Sequence, residues 1–390
     1  MADDMNDTPI KFPLKATVNK KKGKVLFVEV DGTFADVLIS FLTLPLGSVG
    51  EFYRSNLFPS GSLKSLYLGL ERLDSAHFLK ESDKSTLLLH PRTSSNAEPY
   101  IYFSSLLKRK ADFMKSVSSF LITDDLHLVP NAGLLQVASV VGVTDMDGAE
   151  TMDVSFGSNE VSKLLVHSLT SMNPLSVVIL GAHPESNKET QFTPNASNSI
   201  SKGMNLKLIV QKYSNKLLYA EAEEDFVEFL FSLFMIPLGG VESLLSSNSN
   251  VKAIDNLYKS VEELIPDKYF NSLDAKNRVL KPMIPSNDHI FPLITRDKLL
   301  DSTSSAEGQG SYVKGPRTFE VSDDLRVTPF CIVSTLTSLR KDKVPLCDVK
   351  EVEVQIGLKE GLCILKASLT SKCALTDAVL SPILNKKRKR

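Results

Sequence analysis

The chain has no tryptophan and only four cysteines in 390 residues, and it carries almost no excess of either charge. Each shortage excludes something. Lysine and arginine number 45 against 46 acidic residues, a formal net charge of −1, which argues against a broadly basic surface made for nucleic acid. Cys331, Cys347, Cys363 and Cys373 are separated by 16, 16 and 10 positions, which matches no pairing of C-x2-C units around zinc. The segments FCIV and GLCILKASL around Cys331 and Cys363 are apolar, so buried, reduced thiols are expected. Long hydrophobic runs are missing too. The two longest, at residues 37–46 and 229–238, each cover about half of the ~20 residues that span a bilayer, and each contains a proline. No membrane span is expected. The start, MADDMNDTPIKF, is acidic and lacks the apolar core of a signal peptide, so the expected compartment is intracellular, nucleus or cytoplasm.

Motifs of catalysis are absent as well. The sequence holds no G-x-G-x-x-G, no G-x-x-x-x-G-K-[ST], no H-E-x-x-H and no G-x-S-x-G. Nothing in it calls for a phosphate cradle, a zinc protease centre or a hydrolase elbow, and no cofactor is expected.

What the chain does have is itself, twice. KVLFVEVDGTFADVLISFLTLPLGSV begins at Lys24 and KLLYAEAEEDFVEFLFSLFMIPLGGV at Lys216, and the two align without a gap at an offset of 192. ITDDLHLVP at 122–130 matches VSDDLRVTP at 321–329, an offset of 199, and SLTS recurs at 168–171 and 368–371. Self-similarity at a long fixed period marks a duplicated structural unit.

Each copy opens with a hairpin pattern around a short polar turn, Asn19–Gly23 in one and Ser214–Asn215 in the other. A helix follows, with Phe34, Val37, Leu38, Phe41 and Leu42 on one stripe and Phe226, Phe229, Leu230, Leu233 and Phe234 on its counterpart. Thr33-x-x-Asp36 and Asp225-x-x-Glu228 resemble N-terminal capping signals. Pro45 and Pro237 end the helix, and a second helix is expected near Ser48 and Gly240. SLYLGLERL (65–73) and NLYKSVEEL (256–264) read as a third helix. The later part of each copy reads strand, helix, strand, helix: DDLHLVP, residues 134–143, TMDVSF and residues 159–170, then DDLRVTP, residues 331–339, EVEVQI and residues 359–369. Strands and helices mix without strict alternation, so the expected class is α+β. The expected domains are two homologous modules, 1–182 and 204–384, with approximate internal two-fold symmetry, a polar linker at 183–203 and a basic tail at 385–390. Residues 81–100 and 300–315 read as polar insertions, one per copy.

The hairpin with FxxxLxSFLxLPLG, the SLYxSxxxL helix and the closing DDLxVxP and ASLTS blocks resemble a plant family known as domain of unknown function 674. The resemblance covers both copies. It implies a plant protein with a tandem repeat, and it implies no activity. Many members carry a cysteine-rich stretch after an LLLxPR motif. Here LLLHPR stands at 87–92, but residues 93–120 contain no cysteine, so a metal role does not carry over.

Among single residues, Glu29 and Glu221 stand out. Each lies in the second hairpin strand, close to Asp31 and Thr33 or to Glu223 and Asp225. Carboxylates at a strand-to-helix turn suit cation binding or acid–base work. Strict alternation places Glu29 on the face of Val25 and Phe27, half-buried at best, and a solvated sheet face or a turn hydrogen bond is the expected use of both glutamates. The pairs Asp124–Asp125 and Asp323–Asp324 lack the oxygen count of a hard-cation site, and turn hydrogen bonds explain them. His127 becomes Arg326 in the second copy and His167 becomes Ala367, which excludes a catalytic histidine common to both. Ser40 and Ser232 read as small residues where helices pack closely. Lys386, Lys387, Arg388, Lys389 and Arg390 form a basic run that suits a nuclear import signal read by an import receptor, or else a solubilising tail.

These features together point to a non-enzymatic, intracellular protein-interaction module whose paired copies present a bivalent or composite surface to protein partners. The alternatives are a small-molecule binder or hydrolytic enzyme at Glu29 or Glu221, and a nuclear nucleic-acid-associated protein.

Overall fold

The computed structural model describes residues 11–49, 52, 61–85, 113–131, 148–187, 203–282 and 312–388. In the first repeat β1 (Phe12–Asn19) and β2 (Lys24–Asp31) form a hairpin. Then come α1 (Gly32–Ser40), a 3₁₀ turn at Phe41–Thr43, α2 (Ser62–Arg72), β3 (Ser119–Thr123), β4 (Leu128–Pro130), β5 (Ala149–Phe156), α3 (Ser158–Thr170) and α4 (Pro174–Leu180). The second repeat runs β6 (Met204–Gln211), β7 (Leu217–Ala222), α5 (Glu224–Ser232), α6 (Leu238–Leu245), α7 (Lys252–Glu263), α8 (Pro266–Tyr269) and α9 (Leu273–Leu280). It continues with β8 (Phe319–Val321), β9 (Val327–Pro329), α10 (Ile332–Lys341), β10 (Val349–Ile356), α11 (Leu358–Thr370) and α12 (Ser381–Arg388). The expected helix at 134–143, and most of the expected linker and insertions, lie outside the described residues.

The class is α+β. Two five-stranded antiparallel sheets form, ordered β4-β3-β2-β1-β5 and β10-β6-β7-β8-β9, which is one order read in opposite directions. The DDLHLVP and DDLRVTP segments differ from the single strands expected. Each is the turn and second strand of a small hairpin, because Leu126 and Leu325 adopt positive φ (59° and 64°) and reverse the chain between β3 and β4 and between β8 and β9. Both leucines are fully buried.

The compact units draw on both repeats. One comprises residues 1–44, 95–188 and 251–282, and the other residues 45–94, 189–250 and 283–390. The first sheet is therefore covered by α1, α3 and α4 of its own repeat and by α7 of the second repeat, which packs on β4, α1 and α3. The second sheet is covered by α5 and α11 of its own repeat and by α2 of the first, which packs on β9, α5 and α11. Phe34 and Phe226 are both fully buried under their sheets. Phe34 meets Phe12 and Phe156 edge-on at 5.4 and 5.5 Å, and Tyr67 of α2 meets Phe234 edge-on at 5.7 Å.

Two expectations about helix starts are corrected. Asp31, not Thr33, caps α1, its carboxylate accepting the Phe34 N–H at 2.9 Å. Asp36 and Glu228 take no part in capping; both are buried and face other backbone. For the second helix of the first copy the described residues show a 3₁₀ turn, Leu46–Val49, and a helical Phe52, the rest lying outside them, and the second copy has helix α6.

Candidate functional site

The placement of Glu29 and Glu221 follows from a β-bulge. Val18 pairs with Val25 and Thr17 with Phe27, so Leu26 is an extra residue and the register shifts between them. In the second hairpin Val210 pairs with Leu217 and Ile209 with Tyr219, leaving Leu218 extra. An inserted residue reverses the parity of everything beyond it. Val25 thus turns inward with Val28 and Val30, while Phe27 and Glu29 turn outward, and Glu29 is exposed rather than half-buried beside Val25. Glu221, on the equivalent outer face of the second sheet, is half-buried. The two glutamates belong to different compact units.

The outer face repeats one ionic design. Lys15 lies opposite Glu29 on one neighbouring strand and Asp153 on the other. Lys207 lies opposite Glu221 and Glu353. On the second sheet the Lys207 Nζ is 3.8 Å from Glu221 and 3.6 Å from Glu351. Such partly solvated pairs add little stability, but they fix a field. That field is acidic: Glu221 lies opposite Glu320 of β8, and the Tyr219 phenol is pushed up to about 12 by burial and by Glu221, Glu320 and Glu351. A groove of about 540 Å³ opens along this face, lined by Lys207, Glu221, Glu223, Thr318, Glu353 and Gln355 among others. Three carboxylates against one ammonium make it suited to a cationic ligand.

The other candidate polar residues hold the fold. The Asp124 carboxylate accepts the Ser176 N–H at 2.7 Å and its hydroxyl at 2.5 Å; Asp323 accepts the Thr376 N–H at 2.8 Å and its hydroxyl at 2.7 Å. Burial raises both carboxyls above their ordinary range, and the hydrogen bonds oppose the shift. Asp125 accepts the Thr123 hydroxyl and the Asn256 amide, at 2.6 and 2.8 Å. Asp36 accepts the N–H groups of Phe113 and Met114, and Glu228 accepts that of Tyr312. The Ser40 and Ser232 hydroxyls each donate to a carbonyl one turn back, those of Val37 and Phe229, at 2.6 Å. Lys84 and Lys276 donate to the last carbonyls of α2 and α7. Among the described residues no group of three or more His, Cys, Asp or Glu side chains is placed to hold a metal ion.

The thiols correct the sequence reading. Cys331, Cys347 and Cys373 are exposed and Cys363 is half-buried; all are free. The apolar neighbours that suggested burial are themselves in water, since Ile332 is 63% and Val333 69% exposed at the start of α10. Hydrogen bonds from the first turn of α10 lower the Cys331 thiol. At the basic end, the backbone of α12 carries Lys386, Lys387 and Arg388, and Lys389 and Arg390 lie outside the described residues.

One family model, described as a protein of unknown function (DUF674), matches residues 8–100, 105–296 and 292–359. The chain belongs to this family. No curated protein and no solved structure matches it. The family description carries no chemistry, so the DUF674 chain has to be read from its own residues. Sequence reading of this DUF674 protein found Glu221 but missed Lys207, Tyr219, Glu351 and Glu353. The available signal was the alternation of EVEVQI, which sets Glu351 and Glu353 on one side of β10. Among the described residues no helix is long and apolar enough to cross a membrane.

Proposed function

We propose that this DUF674 chain is a non-enzymatic interaction protein whose second sheet docks a cationic protein segment on its open face. The observation that supports this reading is how the polar residues are used. Those repeated in both copies, Asp36 and Glu228, Asp124 and Asp323, Lys84 and Lys276, are tied to backbone or to neighbouring hydroxyls inside the fold. The acidic groove around Glu221 is left for a partner, and it repels the phosphates of nucleic acid.

A fluorescent peptide of alternating lysine and valine, titrated at low and at physiological salt, tests the reading. The expected result is saturable binding that weakens with salt and falls about tenfold in the double variant Glu221→Lys/Glu353→Lys, the size expected from reversing two solvated charges. Absence of binding to the natural chain at low salt, or equal binding by the variant, rejects it.

The groove also supports a second reading, a small-molecule binder using Glu221. A cationic small molecule that raises the melting temperature of the natural chain but not of Glu221→Gln, with no effect from the peptide, selects that reading instead. The proposal places the protein in a plant cell, in the nucleus when Lys386–Arg390 engage an import receptor and in the cytoplasm otherwise.

A further inference from the structure

Each sheet is partly covered by a segment of the other repeat, and the two exchanges use equivalent backbone atoms. In the first unit the Lys115 N–H donates to the Tyr269 carbonyl at 2.9 Å, the Asn271 N–H donates to Phe113 at 2.8 Å, and Met114 pairs with Phe270 as an antiparallel bridge. In the second unit the Leu79 N–H donates to Tyr312 at 2.8 Å, the Lys314 N–H donates to His77 at 2.8 Å, and Phe78 pairs with Val313 as an antiparallel bridge. Phe78 and Phe270 stand 192 positions apart, as Phe34 and Phe226 do, and both are about 1% exposed. Asp36 and Glu228 then hold the same return segment from the opposite side.

The exchange also closes the small β3–β4 hairpin of the first unit. The Asn256 amide of α7 binds Asp125 through its carbonyl and its carboxylate, at 2.9 and 2.8 Å, and Ser260 accepts the Leu128 N–H at 3.0 Å. A single repeat lacks these partners. Left alone it exposes the apolar ground beneath α7 or α2, and the Lys115 N–H and Phe113 carbonyl, or the Lys314 N–H and Tyr312 carbonyl, lose their partners.

We infer that the chain is a domain-swapped dimer closed into one polypeptide: each repeat is the folding partner of the other, and the surface each sheet offers fits the helical segment of a second copy of the repeat. Exchange of an identical element between protomers is a low-cost route to dimers, and fusing the two chains removes its concentration dependence. The contacts between the folded halves then hold them together after the linker is cut. The inference does not rest on the docking function proposed above.

The test uses the full chain with a protease site inserted after Asn195. After complete cutting, the two fragments should run as one particle with the mass of the uncut chain and part only in denaturant. A second measurement separates exchange from simple adhesion. Antiparallel partners lie about 4.5–5.5 Å apart at Cα, within disulfide range. Met114→Cys/Phe270→Cys and, independently, Phe78→Cys/Val313→Cys should join the cut fragments covalently without reductant. Single variants Met114→Cys and Phe78→Cys should not, although the four natural cysteines remain, all of them in the second fragment. Fragments that separate in native buffer, or that stay together yet cross-link in neither pair, overturn the inference.

Discussion

The Asp36 carboxylate accepts the Met114 N–H at 2.7 Å, across 78 positions of sequence. The same oxygen takes the Phe113 N–H at 2.8 Å, and Glu228 does the equivalent work for Tyr312 in the second repeat. Both acids are buried. Removing either leaves backbone donors without a partner in a dry place. Asp36→Ala and Glu228→Ala should each lower unfolding stability by about 3 kcal/mol, the combined cost of charged hydrogen bonds and stranded donors. Chemical denaturation checks this, and an unchanged midpoint for either variant refutes the fastening role.

The buried Asp124 makes stability depend on pH. Burial raises its carboxyl above the ordinary 3.8, the Ser176 bonds only partly offsetting this, so the folded state binds the proton more tightly than the unfolded state. Its contribution is fully present below the unfolded value and is lost as pH rises through the raised folded value. Measured against Asp124→Asn, which does not titrate, the natural chain should hold its largest relative stability in acid and lose it toward neutral pH. A relative stability that grows with pH contradicts the assignment.

Phe41 is fully buried and Phe229 is 2% exposed. Phe41→Ala and Phe229→Ala should each cost about 3–5 kcal/mol, the range for emptying a large aromatic site. Thermal and denaturant unfolding give the value. An exposed-site response, within about 0.5 kcal/mol, shows that the stripe faces no core.

The basic end separates localisation from folding. A large fluorescent protein fused to the N-terminus of the chain should enter the nucleus, and truncation after Asn385 should abolish that enrichment while leaving the melting temperature unchanged. Import grooves read extended chain, and α12 runs through Arg388, so its last turn has to unwind on binding. Lengthening the tail with glycine and serine before Lys386 should therefore strengthen import. Equal distribution of full-length and truncated fusions reduces the run to a solubilising end.

Gly32 shows how the two copies diverge without changing the fold. A Cβ there meets the Lys115 carbonyl oxygen at 2.0 Å, a backbone contact with no room to move. The second copy places Glu224 at this position and puts the glycine opposite, at Gly315, where a Cβ meets the Glu224 side chain at 2.2 Å. Gly32→Ala should destabilise the chain by more than the ordinary helix preference for alanine returns, and a stabilised variant disproves the close approach.

Local sequence was enough for the hairpins at 12–31 and 204–222, for the stripes of Phe34 and Phe226, and for α3 and α11, because periods of two and 3.6 are written in neighbouring residues. It failed at Glu29, whose facing depends on the bulge at Leu26, and a bulge is a property of the paired strand Thr17–Val18. It failed at Asp36 and Glu228, whose spacing from Thr33 and Asp225 imitates a cap while their true partners lie at Met114 and Tyr312.

The sequence by itself determined that this protein is a duplication, that it is α+β, and which faces of its helices are apolar. An apolar stripe states that a face must be covered and is silent on what covers it. Only the tertiary structure decided that α2 covers the sheet of the second repeat and α7 the sheet of the first. The two helices carry the same Leu-Tyr pair, Leu66–Tyr67 and Leu257–Tyr258, on similar apolar faces, so the choice between them rests on chain connectivity and on long-range pairs such as Phe78 with Val313 and Phe270 with Met114.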